Sequence, residues 1–211
     1  ALLPLPTLAA TIIVAVLGML DLSTLRTAWH YDRADALALL ATAGGVLVLG
    51  VEAGVLVGVA LSMVVLIWRA SRPHIAVLGR IHGTEHFRNV ERYSAETTPG
   101  LLMLRVDAGL FFGNVDAVNE RIDEELVAHA GTRHLVLVLS AVNAIDTSAL
   151  FGLEELNSSL NRRGVLMHLA EVKGPVMDRL KESDLLAKLN GQVFLSAAIA
   201  WDQLAATPPG G

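Results

Sequence analysis

One short run carries the most specific chemistry of this chain: Ala144-Ile145-Asp146-Thr147-Ser148-Ala149-Leu150. It lies between the apolar run Leu135–Leu139 and a segment with leucines at helical spacing, Leu150, Leu153, Leu156 and Leu160. An aspartate just ahead of such a segment predicts a helix starting near Thr147, with Asp146 capping its free amides. Ser148 then falls in the first turn, beside the positive end of the helix dipole, where a phosphate would be stabilised. The chemistry expected of Ser148, Asp146 and Thr147 is therefore regulatory. A plain helix cap is the other reading of the same three residues.

Catalytic alternatives are poorer. Ser148 has no G-x-S-x-G elbow, and the sequence places no histidine to serve it. His82 and His86 have i, i+4 spacing, but they fall in a stretch that reads as loop and lack a third ligand. The chain has no cysteine, which excludes disulfides and thiolate metal sites. Neither G-x-G-x-x-G nor G-x-x-x-x-G-K-[ST] occurs. The reading is a non-enzyme with no catalytic residue, metal or cofactor. Nucleic acid is an equally poor partner: the net charge of −5 says little, but Lys/Arg are interspersed with Asp/Glu and form no basic face.

The elements that must position these residues fall into two populations, which the mean hydropathy of +0.53 averages together. Of 16 Lys/Arg and 21 Asp/Glu, only Arg26, Arg33, Asp21, Asp32, Asp35 and Glu52 precede Arg69. Three apolar stretches, near 5–22, 34–50 and 53–68, predict three transmembrane helices. Each holds roughly 16 to 18 residues, slightly short of a hydrocarbon core of about 30 Å. Arg26, His30 and Arg33 join the first two stretches, the 50–54 connection has no Lys or Arg, and Arg69, Arg72 and Arg80 follow the third. Positive charge stays on the untranslocated side, so the 23–33 loop and everything after Arg69 are expected to be cytoplasmic, with Trp29 and Trp68 as interfacial anchors. Gly50, Gly54, Gly58 and Ser62 recur every four residues, which predicts a helix face for close packing. A signal peptide would show a basic n-region ahead of a short apolar core, a pattern that the first residues given do not have. The opening Ala1-Leu2-Leu3 lacks a methionine, which suggests a cut through a longer protein.

Beyond Pro73, strands are expected near 75–81, 101–106, 135–139, 165–169 and 193–195. Helices are expected from Val115 toward Gly131, from near Thr147 to Arg162-Arg163-Gly164, from Gly174, and from about Ser196 to Leu204. Strands alternating with helices predict a central sheet covered by helices. The domain reading is 1–70 membrane helices, 71–97 a linker with short strands, 98–205 the α/β domain and 206–211 a disordered tail.

Asp146-Thr147-Ser148-Ala149-Leu150, the strand–helix order around it and Val172-Lys173-Gly174-Pro175-Val176 resemble a STAS domain. Val46-Leu47-Val48-Leu49-Gly50-Val51-Glu52-Ala53-Gly54-Val55-Leu56, Arg69-Ala70-Ser71-Arg72-Pro73-His74, Gly83-Thr84-Glu85-His86-Phe87-Arg88-Asn89-Val90 and Arg105-Val106-Asp107 with Leu110-Phe111-Phe112 resemble the end of a SulP-type anion transporter, the sulfate permease family. The resemblance implies a protein of about fourteen spans in two inverted repeats, with a core that carries the anion and a gate that serves as scaffold and dimer contact. The three spans here would be the last three, in the gate. The anion site, between half-helices of the core, would lie upstream of Ala1, so no substrate-binding residue carries over to this chain. Related domains in anti-sigma-factor antagonists are phosphorylated on a serine that aligns with Ser148.

The expected function is the C-terminal part of a secondary-active transporter for sulfate, bicarbonate or dicarboxylates in a bacterial inner membrane, its STAS domain serving regulation or assembly. The expected partners are the lipid bilayer, the missing core domain, a second copy through gate or STAS domain, and a regulatory protein on the STAS domain. The alternatives are a membrane-tethered STAS module that binds a regulatory protein, and a nonfunctional transporter fragment.

Overall fold

A computed structural model describes residues 5–18 and 22–205, and the chain divides into two compact units between Ile67 and Trp68. The predicted tail at 206–211 lies outside the described residues. The first unit is helical: α1 (Leu5–Gly18), α2 (Leu22–Tyr31), α3 (Arg33–Leu49) and α4 (Val51–Ala70). The stretch read as a 23–33 loop is mostly helix α2. Nothing between Ser23 and Tyr31 is glycine or proline, so its polarity marked exposure and not irregular backbone. Asp32 breaks the helices apart and caps α3, its side chain accepting from the Ala34 amide at 2.8 Å.

Among the described residues one helix, α4, is long and apolar enough to cross a membrane. Its apolar window is only 11% buried, whereas the core helix of a soluble protein would be mostly covered. Helices α1 and α3 have 14 and 17 residues.

Gly50 ends α3 at φ +88, and its amide donates to Val46 O at 3.1 Å. The chain then turns directly into α4, and the buried glycines Gly54 and Gly58 pack against α3. A Cβ on Gly54 would overlap the backbone nitrogen and Cα of Val46, whereas a Cβ on Gly58 would meet the Thr42 side chain. Backbone cannot step aside as a side chain can. Gly54→Ala is therefore expected to destabilise this helix pair by about 1–3 kcal/mol, and Gly58→Ala by less. Protease protection of the two variants in detergent micelles measures the order, and equal protection would refute it.

The second unit is built on one sheet. Its strands are β1 (Ile75–Arg80), β2 (Phe87–Asn89), β3 (Leu101–Val106), β4 (His134–Val138), β5 (Leu166–Ala170) and β6 (Val193–Phe194). Their order is β2-β1-β3-β4-β5-β6. The β1 strand pairs antiparallel with both β2 and β3, and β3 through β6 are parallel. Residues 71–97 thus supply two strands of the sheet. Within 71–97, expected to hold short strands, β2 had no assigned position, because three residues are too few to show a period.

Alternation splits each apolar strand between two cores. Leu102, Leu104, Leu135 and Leu137 point to one face, under α5 (Val115–Ala128), α6 (Thr147–Arg162), α7 (Gly174–Lys181) and α8 (Leu185–Lys188). Leu101, Met103, Val136 and Val138 point to the other, where Ala197 and Ala200 of α9 (Ala197–Ala205) close the layer with Phe87 and Phe194. The α9 residue Trp201 stacks on Phe87 at 5.7 Å.

One polar pair interrupts this core. His134 and His168 are diagonal neighbours on β4 and β5, where His134 faces Leu166 and His168 faces Val136, and His134 Nδ1 lies 3.1 Å from His168 Nε2. His168 Nδ1 accepts from the Gln192 amide at 3.0 Å, so its proton resides on Nε2, which donates to His134. Burial pushes the His168 pKa down to about 4, and the adjacent His134 adds to the fall. Burial also lowers His134.

Candidate functional site

The carboxyl ends of parallel strands are where open α/β sheets assemble sites, and the loops after β3, β4 and β5 meet there. The β3 loop runs alongside the β4 loop as a short parallel pairing, Leu110 with Ile145. The Leu110 amide donates to Ala144 O at 3.0 Å, and the Asp146 amide donates to Leu110 O at 3.1 Å. Lys173, after β5, reaches Asn143 Oδ1 at 2.6 Å.

Asp146 fastens this junction with both carboxylate oxygens. Its Oδ1 accepts from the Ala149 amide at 2.8 Å, which caps α6 as its extended backbone (φ −96, ψ 174) permits. Its Oδ2 accepts from the Phe112 amide at 2.9 Å, on the β3 loop. A helix cap was legible from the sequence. The tie to Phe112 was not, because the two residues are 34 positions apart and only the sheet brings them together. Asn114, missed by sequence reasoning, supports the same loop from inside. It is buried, its Oδ1 accepts from the Phe111 amide at 3.0 Å, and its Nδ2 donates to Gly109 O at 2.9 Å.

Thr147 and Ser148 are exposed on the first turn of α6. Among the described residues, the Ser148 hydroxyl has no hydrogen-bond partner in the fold. Two aromatic side chains stand exposed close by in the chain or in space: Phe151, one turn along α6, at 65%, and Phe112 at 74%. A cleft of about 390 Å³ runs from Thr147 along α6 toward α7 and α8. Its cations are already matched by carboxylates: Lys188 Nζ lies 3.0 Å from Asp184 and 3.2 Å from Glu154, which raises its pKa, and Arg179 lies 3.7 Å from Glu182. A phosphate on Ser148 would be met by amides and the helix dipole, not by a waiting arginine cluster.

The other predicted set divides. Gly54 and Gly58 meet α3, Gly50 terminates α3, and Ser62 is exposed. Within the helical unit, Gly45 adds to the close approach from the α3 side, a Cβ there lying 3.3 Å from Gly54 Cα. His82 Nδ1 pairs with Glu96 Oε1 at 2.7 Å. Among the described residues no three His, Cys, Asp or Glu side chains converge on a metal-sized site.

The STAS domain model matches residues 92–200. Over 205 residues the chain is 35% identical to high affinity sulfate transporter 2 of Stylosanthes hamata, covering 92% of this chain and 31% of the relative. Over 208 residues it is 35% identical to sulfate transporter 1.3 of Arabidopsis thaliana, with the same coverage of 92% and 31%. The chain thus spans about a third of the length of these relatives, which are transporters and not enzymes. The murine Slc26a9 anion transporter in its inward-facing state shares the fold, with a TM-score of 0.75 at 20% identity over 84% of this chain and 30% of that one. A sheet domain with the Asp146 junction at its parallel-strand ends, matched over 92–200, makes this chain a member of the STAS domain family, with sulfate transporters as homologues along nearly its whole length.

Proposed function

We propose that the chain is the C-terminal part of a secondary-active anion transporter of the sulfate, bicarbonate or dicarboxylate class, with its STAS domain serving regulation or assembly. The observation that carries this reading is the reach of the homology. It covers 92% of the chain, including the apolar helices, and not the STAS match at 92–200 alone. A free-standing STAS module would have no reason to share those helices with sulfate transporters.

In this reading α1, α3 and α4 are three spans of the gate, and Arg69 and Arg72 hold the STAS domain on the cytoplasmic side of a bacterial inner membrane. The glycine face of α4 serves helix packing, and a second copy assembles through gate or STAS domain. Transport belongs to the full-length protein. Reconstituted in proteoliposomes, that protein is expected to take up radiolabelled sulfate, with bicarbonate and dicarboxylates as competitors that rank the class. Absence of uptake for all three would sink the reading.

Ser148 is the regulatory position, with Asp146 and Thr147 shaping its turn. A negative charge there, beside exposed Phe112 and Phe151, would oppose apolar docking of a protein partner. Uptake by the full-length Ser148→Asp variant is expected to fall about fivefold below Ser148→Ala, the lower end of ordinary coupling free energies. Identical uptake would remove Ser148 from regulation.

A further inference from the structure

Two stretches far apart in sequence, 83–90 and 105–107, meet on the antiparallel side of the sheet. Strand β2 ends at Asn89, whose Oδ1 accepts from the Glu91 amide at 2.8 Å, and the amides of Arg92 and Tyr93 both return to Asn89 O at 3.1 Å. This turn presents Arg88, Arg92 and Tyr93 beside the end of β3. There the Asp107 amide donates to His74 O at 3.0 Å. Together His74, Arg88, Arg92, Tyr93 and Arg105 line a cleft of about 400 Å³, with Asn89 and Asp107 in its wall.

The charges in this cleft do not cancel. Asp107 is the one carboxylate in the lining, and it is already engaged. Its Oδ1 accepts from Arg105 Nε at 2.5 Å, and its Oδ2 lies 3.0 Å from both Arg105 Nη2 and His74 Nδ1. The Arg105 guanidinium, with His74 behind it, holds the Asp107 carboxyl below the ordinary carboxylate range. Arg88 makes only a 3.4 Å hydrogen bond to Phe87 O, and among the described residues neither Arg88 nor Arg92 forms an ion pair. Two guanidinium forks without an anion, next to a third held in place by Asp107, present the donor geometry that planar or tetrahedral oxyanions take up bidentately.

We propose that this cleft binds a tetrahedral oxyanion: sulfate, inorganic phosphate, or the phosphate of a lipid headgroup. The Tyr93 hydroxyl supplies a neutral donor, and Arg105, oriented by Asp107, supplies the fixed charge. His74 lies four residues beyond Ala70, the end of the long apolar helix, which makes a lipid phosphate a source as natural as a free ion. The assignment does not depend on the transporter reading, since no residue of the cleft belongs to the helical unit.

The test uses the whole chain in dodecyl maltoside micelles, which carry no phosphate, titrated with radiolabelled sulfate or phosphate at constant ionic strength. Saturable binding is expected, weakened at least about tenfold in Arg88→Gln/Arg92→Gln, as loss of charged hydrogen bonds implies. Trp201 emission, read with Trp29 and Trp68 changed to phenylalanine, reports whether the double variant keeps its fold, and Arg92→Glu alone provides the same test if it does not. Phosphatidic acid added to the micelles separates the sources. Competition with sulfate assigns the cleft to a lipid phosphate, and unchanged binding assigns it to a free ion. Binding that is absent, or that survives both variants undiminished, overturns the proposal.

Discussion

Replacing Asp146 with alanine is expected to lower the stability of the sheet unit by about 2–3 kcal/mol. About 1 kcal/mol of this is the helix cap on α6. The rest is the charge-assisted hydrogen bond to the Phe112 amide, which takes the low end of its range because it lies at the surface. Urea unfolding of the detergent-solubilised chain, followed by Trp201 emission with Trp29 and Trp68 changed to phenylalanine, gives the number. A loss below 1 kcal/mol would mean that the tie between the two loops is idle. Asp146→Asn sharpens the point, since one amide oxygen can serve Ala149 or Phe112 but the amide nitrogen would then face an N–H donor. It is expected to restore about half of the loss. Ser148→Ala, by contrast, removes an exposed hydroxyl and should stay within about 0.5 kcal/mol of the parent. The stability effect at Asp146 is therefore separable from substitutions two residues later at Ser148.

Acid is expected to destabilise the same unit through His168. An unfolded histidine titrates near pH 6.5 and the folded one near 4, so between those values the unfolded chain binds more protons. Stability is then constant in this respect above about pH 6.5 and falls by about 3 kcal/mol as pH drops to 4. Asp107 is distinguishable, because a carboxyl held below its usual range loses its contribution only under about pH 4. His168→Asn keeps an acceptor near Nδ1 for the Gln192 amide and abolishes the titration. It should flatten the urea midpoint between pH 4 and 6.5. A slope that persists would move the effect to His134, the coupled neighbour.

Much of the sheet was legible because period and punctuation agree. Buried parallel strands show as apolar runs, the leucine spacing of α6 exposes one helical face, and Gly174-Pro175 can only open a helix. Where such signals fail, the sequence misleads. The polar stretch 23–33, expected as a loop, is mostly helix α2, since polarity reports solvent and not backbone. The glycines at 50, 54, 58 and the serine at 62 share a spacing but not a role. Gly50 lies outside the helix whose register the spacing assumes, at a positive φ.

The site divides along the same line. A cap at Asp146 and a first-turn place for Ser148 are local facts, set by residues within one turn, and the sequence by itself determined them. Along with the apolar-to-polar switch at Arg69, they are what this chain states without a fold. Only the tertiary structure decided that Asp146 also holds Phe112, that His134 and His168 share a proton, and that Arg88, Arg92 and Arg105 line one cleft. These contacts join residues separated by 34 positions in the first two cases, and in the third they bring together β2 and β3, which flank the oppositely directed β1. Spacing along a chain carries no information about which strands become neighbours. That order is fixed by the burial of two apolar faces at once, a property of the whole sheet.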